Sequence, residues 1–138
     1  MDKTNKILFK SSTKNLHLLR KFIEDKARTF GFDESSVNQI ILSVDEACTN
    51  IIKHAHMYND KEIIEVELNT NENQFIIKLN YKGKAFDPNN ISNPDMKEYF
   101  NKFKIGGLGV PIMKKFMNKI EFLHLNPDKN SLTLIKNL

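Results

Sequence analysis

The chain has no tryptophan, one cysteine, five glycines and four prolines in 138 residues, and only Arg20 and Arg28 among its 21 basic residues are arginine. Each scarcity removes a class of protein. A lone cysteine, Cys48, cannot close an internal disulfide or supply a paired-cysteine zinc motif. So few glycines and prolines leave no low-complexity segment and no linker between two halves. No run of about 18 apolar residues is present, which excludes a membrane-spanning helix. The opening Met1-Asp2-Lys3-Thr4-Asn5-Lys6 is polar and no long apolar segment follows it, so no secretory signal is expected. Together these predict a soluble, cytoplasmic protein of a reducing compartment with no membrane partner.

What remains is the balance of one globular domain spanning 1–138: 40% hydrophobic and 28% charged residues. The formal net charge of +4 can attract anions or an acidic partner. Base reading and bidentate phosphate clamps favour arginine's planar fork, however, and the lysines are scattered rather than striped. No direct nucleic-acid contact is expected.

Local patterns predict the order β-α-α-β-β-loop-α-β-β. Residues 5–10 read as a short strand. Ser11, Ser12 and Thr13 offer caps to a first helix carrying Leu16, Leu19, Ile23, Ala27 and Phe30, and Gly31 stops it. Asp33 caps a second helix, along which Val37, Ile40, Ile41, Val44, Cys48, Ile51, Ile52 and Ala55 form an apolar stripe of about five turns. Strands over 61–69 and 74–82 flank a polar turn at Thr70-Asn71-Glu72-Asn73. Periodicity is lost from Gly83 to Gly107, a connection long enough to suggest a functional lid. A third helix carries Val110, Ile112, Met113, Phe116 and Met117. A strand with Ile120, Phe122 and Leu125, a turn at Asn126-Pro127-Asp128-Lys129-Asn130 and a strand with Leu132 and Leu134 close the chain. This order fits an α+β two-layer sandwich, with helices on one face of a mostly antiparallel sheet.

Three patches can carry chemistry. Glu46, Asn50 and His54 are spaced by four, within about 80° of one another on the second helix and opposite its apolar stripe. Such a stripe is commonly a solvated face. Ala47 and Thr49 beside it are short, however, where a solvent face favours lysine and glutamate, and an asparagine inside a helix is unfavourable without a partner. A carboxylate and a carboxamide one turn apart can serve as base and Mg²⁺ ligand. His54 and His56 are two apart and so do not face each other as a metal pair. Gly106-Gly107-Leu108-Gly109 before a helix is either a phosphate cradle or a flexible connection, and lacks the Lys-Ser/Thr ending of a P-loop. Gly83 and Phe86-Asp87-Pro88 close the second hairpin strand.

Val44-Asp45-Glu46-Ala47-Cys48-Thr49-Asn50-Ile51-Ile52-Lys53-His54-Ala55 resembles the N-box of the GHKL ATPases, most strongly the anti-sigma-factor serine kinases of the RsbW and SpoIIAB type. Gly83-Lys84-Ala85-Phe86-Asp87-Pro88 is similar to their first glycine box and Gly106-Gly107-Leu108-Gly109-Val110 to their second. Ser131-Leu132-Thr133-Leu134-Ile135-Lys136 is similar to their last strand. The resemblance implies a Bergerat (histidine kinase-like ATPase) fold binding ATP and Mg²⁺. Glu46 would be the general base and Asn50 the Mg²⁺ ligand. Gly83, Phe86, Gly106, Gly107, Leu108 and Gly109 would line the nucleotide, with Lys53 and His54 near it and a lid over about 89–105. Thr133 would help bind the base through water. It also implies a homodimer that phosphorylates a serine on an anti-anti-sigma (STAS-domain) protein and sequesters a sigma factor. The family's Asp-x-Gly, whose carboxylate accepts from the adenine amino group, reads Tyr81-Lys82-Gly83 here. The alternative is therefore a non-catalytic partner-switching module whose nucleotide site has decayed at Tyr81.

Overall fold

A computed structural model of the chain describes residues 5–83, 110–126 and 128–138; the side chains of 110–112 and 125 lie outside the described set, as does the expected lid. Five strands, β1 (Lys6–Lys10), β2 (Ile63–Thr70), β3 (Gln74–Tyr81), β4 (Lys119–Asn126) and β5 (Lys129–Asn137), form a sheet in the order β1-β2-β3-β5-β4. Every pairing is antiparallel. Helices α1 (Leu16–Phe30), α2 (Glu34–Asn50) and α3 (Val110–Phe116) complete the α+β sandwich. No helix among the described residues is long and apolar enough to cross a membrane.

Alternation decides which strand residues meet the helices. Ile64, Val66 and Leu68 on β2, Phe75, Ile77, Leu79 and Tyr81 on β3, and Leu132 and Leu134 on β5 are buried in one core with Leu19 and Ile23 of α1 and Val37, Ile40 and Val44 of α2. Each such aliphatic side chain contributes roughly 1.5–3 kcal/mol when fully buried.

The helix boundaries follow local chemistry. Gly31 ends α1 in the left-handed conformation (φ 115°). Its N–H donates to Arg28 O at 3.1 Å and that of Phe32 to Ala27 O at 3.3 Å, the two bonds that satisfy a helix's last carbonyls when glycine follows it. The same turn swings Phe32 against Phe30 and Phe75, with ring centroids 5.5–5.6 Å apart. The aromatic trio pins the α1–α2 corner to β3. Asp33 caps α2 by accepting from Ser36 N–H at 2.8 Å, and that bond holds its carboxyl below the usual carboxylate range. Arg20 of α1 grips Asp45 of α2 through two parallel bonds, at 2.8 and 3.2 Å. Asn71 Oδ1 closes the β2–β3 turn by accepting from Asn73 and Gln74 N–H at 3.0 and 2.9 Å. Lys136 Nζ donates to Phe116 O at 2.7 Å, placing a cation at the C-terminus of α3.

Two boundaries depart from the sequence expectation. The Ser11–Thr13 segment does not cap α1 by a side chain: a 3-10 turn (Thr13–Asn15) precedes the helix, and Ser12 makes no capping bond. The second helix is α-helical only to Asn50, and Ile51–Ala55 continue as a π-turn. His56 N–H reaches back five residues to Ile51 O at 2.9 Å. Ile51, Ile52 and Ala55 remain buried, so the apolar stripe persists through the wider turn and gives no warning of it.

Candidate functional site

Helix α2 packs against both α1 and α3 and shares its core with the sheet. Met113 of α3 is fully buried, as are Ser43 and Ala47 of α2. The polar stripe opposite the expected core face is therefore not a solvated face, which is why its neighbours are short.

Asn50 is the outstanding residue on it. It is 1% exposed, and neither its amide nitrogen nor its amide oxygen has a hydrogen-bond partner among the described residues. Each buried polar group left unsatisfied costs about 1–3 kcal/mol, and native proteins leave few such groups without a functional reason. A side-chain carbonyl oxygen is a donor suited to a hard divalent cation, so Asn50 fits the Mg²⁺ ligand that the sequence motif implies. Glu46, one turn earlier, is partly exposed. Lys53 and His54 are half-buried on the π-turn. The wider turn changes the angle at which His54 leaves the helix, so spacing by four no longer aligns it strictly with Asn50. Single π-turns often mark functional sites.

Beneath α2, the end of β3 is held at three consecutive carbonyls. His56 is buried and bonds through both ring nitrogens, to Ser11 Oγ at 2.6 Å and to Lys82 O at 2.7 Å. A carbonyl only accepts, so Nε2–H donates to Lys82 and Nδ1 accepts from the Ser11 hydroxyl. Burial lowers the His56 pKa, outweighing the Lys82 carbonyl bond and the Glu62 charge, which raise it; the ring is neutral. Asn130 Nδ2 donates to Tyr81 O at 3.3 Å and Gly83 O at 3.0 Å, and its Oδ1 accepts from His124 Nδ1 at 2.6 Å. Gly83 has φ +120°, and a Cβ there would lie 2.8 Å from Ala55 O. Only glycine lets the chain just after β3 pass so close to the end of the π-turn that follows α2. Sequence reasoning missed Ser11, His56 and Asn130 as parts of this frame.

The remaining expected residues separate. Tyr81 is 4% exposed and packs edge-on to His56, centroids 6.0 Å apart. On β5 it stands opposite Asn130, and Leu79 opposite Leu132. Thr133 pairs with Lys78 and Glu121, on the sheet face turned away from α2. The expectation that Thr133 helps bind the base is thus corrected, because strand alternation sets it on the wrong side. The signal was present in the sequence, since the apolar Leu132 and Leu134 flank it. Phe86, Gly106, Gly107, Leu108 and Gly109 lie outside the described residues, although the glycine run leads directly into α3. Cys48 is fully buried, and burial pushes its thiol far above the usual range; it is a core side chain, not a nucleophile.

The outer sheet face carries a recess of about 630 Å³ lined by Glu65, Glu67, Lys78 and Asn80. Asn80 Nδ2 donates to Glu65 at 3.0 Å and Glu67 at 2.8 Å. It does not include Glu46 or Asn50, so size alone does not make it the chemical site.

The site is thus a two-layer fold with a buried asparagine, without a side-chain partner among the described residues, at the end of the long helix. Residues 9–136 match the histidine kinase-like ATPase domain, and the chain belongs to that family. It is similar to the serine-protein kinase RsbW of Bacillus thuringiensis (strain Al Hakam) and of Bacillus cereus (strain AH820), each 27% identical over 111 residues, or 78% of this chain and 69% of the relative. RsbW of Bacillus cereus (strain Q1) is 26% identical over the same length.

Proposed function

We propose that this protein is a cytoplasmic, homodimeric anti-sigma factor that binds Mg-ATP and transfers the γ-phosphate to a serine of an anti-anti-sigma (STAS-domain) protein, and that it sequesters a sigma factor. The observation that carries the reading is Asn50, whose buried amide has no partner among the described residues. Similarity to serine-protein kinases RsbW supports the same direction. Phosphoryl transfer asks mainly for positioning and charge neutralisation. Asn50 would hold Mg²⁺, which when bound neutralises phosphate charge. Glu46 accepts the proton of the attacking serine hydroxyl, and Gly106, Gly107, Leu108 and Gly109 wrap the phosphates. Lys53 and His54 flank the nucleotide.

The test is incubation with labelled Mg-ATP and a STAS-domain protein from the same organism. Phosphoserine on that partner, lost in Glu46→Ala, is the expected result. A second reading, the non-catalytic partner-switching module, is favoured by the burial of Tyr81 where the family carries a carboxylate. Partner binding that is unchanged by nucleotide, with no phosphoserine formed, would select it.

A further inference from the structure

We propose that His56 is a positioning residue for the cation site: bonded through both ring nitrogens to strand ends far away in the chain, it fixes the π-turn that follows Asn50 and so sets the direction in which the Asn50 amide is presented. The inference rests on the nucleotide reading above and adds to it a residue that acts through Asn50. A side chain that ligates a metal is normally aimed by a neighbouring group that hydrogen-bonds to it, and losing such a group costs about ten- to hundredfold in metal affinity. Asn50 is 1% exposed, and its amide has no hydrogen-bond partner among the described residues. Its aim therefore depends on packing and on the backbone that carries it.

That backbone is the junction of α2 with the π-turn Ile51–Ala55. Such turns are rare interruptions of the α-helix, and contacts from outside the helix hold this one. His56 N–H closes it on Ile51 O at 2.9 Å. The His56 ring then ties the closing residue to two strand ends: Nδ1 to Ser11 Oγ, just past β1, at 2.6 Å, and Nε2 to Lys82 O, just past β3, at 2.7 Å. These partners are 45 and 26 residues away in the chain, so neither bond belongs to the helix itself. Ser11 is buried in turn, and its N–H is held by Glu62 O at 2.9 Å. Gly83 leaves little slack on the other side, since a Cβ there would lie 3.3 Å from His56 Cδ2 and 2.8 Å from Ala55 O. A buried ring bonded at both nitrogens, with strand backbone against its edge, is locked in one orientation. The turn that it closes is locked with it, and Asn50 stands directly before that turn.

Calorimetry of the full chain with ATP, once in Mg²⁺ and once in EDTA, tests this in the wild type, His56→Phe, His56→Gln and Ser11→Ala, with circular dichroism confirming the fold of each. His56→Phe keeps a ring in the space and loses both bonds. Its Kd for Mg-ATP is expected to rise about tenfold or more, while its Kd for ATP in EDTA stays within about threefold of wild type. Glutamine can donate to Lys82 O and accept from Ser11, so His56→Gln is expected to bind Mg-ATP within about threefold of wild type. Ser11→Ala removes one bond of the two and should fall between. Equal losses in Mg²⁺ and in EDTA mark a general loosening of the fold and overturn the inference. A folded His56→Phe that binds Mg-ATP as wild type does overturns it too, and leaves the nucleotide reading standing. If the wild type binds no ATP in Mg²⁺, the nucleotide reading fails and takes this inference with it. Should His56→Phe not fold, Ser11→Ala decides on the same split between Mg²⁺ and EDTA. If ATP in EDTA binds no variant measurably, the His56→Gln rescue decides, and its failure overturns the inference.

Discussion

Replacing Asn50 with leucine should make the ligand-free protein more stable while abolishing its affinity for Mg-ATP. Leucine shares asparagine's branched heavy-atom skeleton, is larger, and has no polar atom. Asn50 leaves two amide groups without partners among the described residues at 1% exposure. Two buried unsatisfied groups cost about 2–6 kcal/mol at roughly 1–3 each. Leucine's different shape in a packed core returns about 1–3 kcal/mol as strain. At mid-range the net expectation is a gain of about 2 kcal/mol, or roughly 6 °C in Tm for a domain of this size. Thermal unfolding by far-ultraviolet circular dichroism suits a chain without tryptophan, first in EDTA and then with Mg-ATP. Wild type should gain stability from the nucleotide by mass action and Asn50→Leu should not. If Asn50→Leu were less stable than wild type in EDTA by 1 kcal/mol or more, the amide would be satisfied within the fold. Its reservation for a ligand would then be refuted. Stability given up at one position for binding is a familiar trade in functional sites.

Further outcomes follow from the same frame. Glu46→Gln should keep Mg-ATP affinity within a few-fold yet slow phosphoryl transfer by about 10²–10⁴, the range of a positioned general base, as single-turnover assays would register. Gly83→Ala puts a Cβ 2.8 Å from Ala55 O at φ +120°; a loss of at least about 1–2 kcal/mol in denaturant melts is expected. His56 is buried, with its folded pKa lowered chiefly by desolvation. The unfolded chain therefore binds the extra proton more readily, and the stabilisation present above about pH 6.5 should fade as pH falls below it. Melts from pH 8 to 5 should slope downward there, and His56→Gln should flatten that limb.

Short-range chemistry carried much of the fold. The repeat of apolar residues along α1 and α2 placed both helices, Gly31 and Asp33 marked the corner between them, and alternation on β2 and β3 separated a core face from an exterior one. Each is decided by neighbours within four residues, so a linear reading suffices. The spacing of Glu46 and Asn50 was legible for the same reason, and the short residues beside them hinted that their face is covered. What the chain's order could not reveal was who covers it. The π-turn leaves no mark, because Ile51, Ile52 and Ala55 bury at either periodicity. Ser11 reads as a helix cap until it meets His56, 45 residues later, and Asn130 reads as a turn residue until it holds the carbonyls at the end of β3. The burial of Tyr81 and of Asn50's amide arises from contacts among elements far apart in the chain. Hydrogen-bond satisfaction is a property of the assembled layers, since each buried polar atom is answered, or left unanswered, by whichever distant backbone or side chain folding brings beside it.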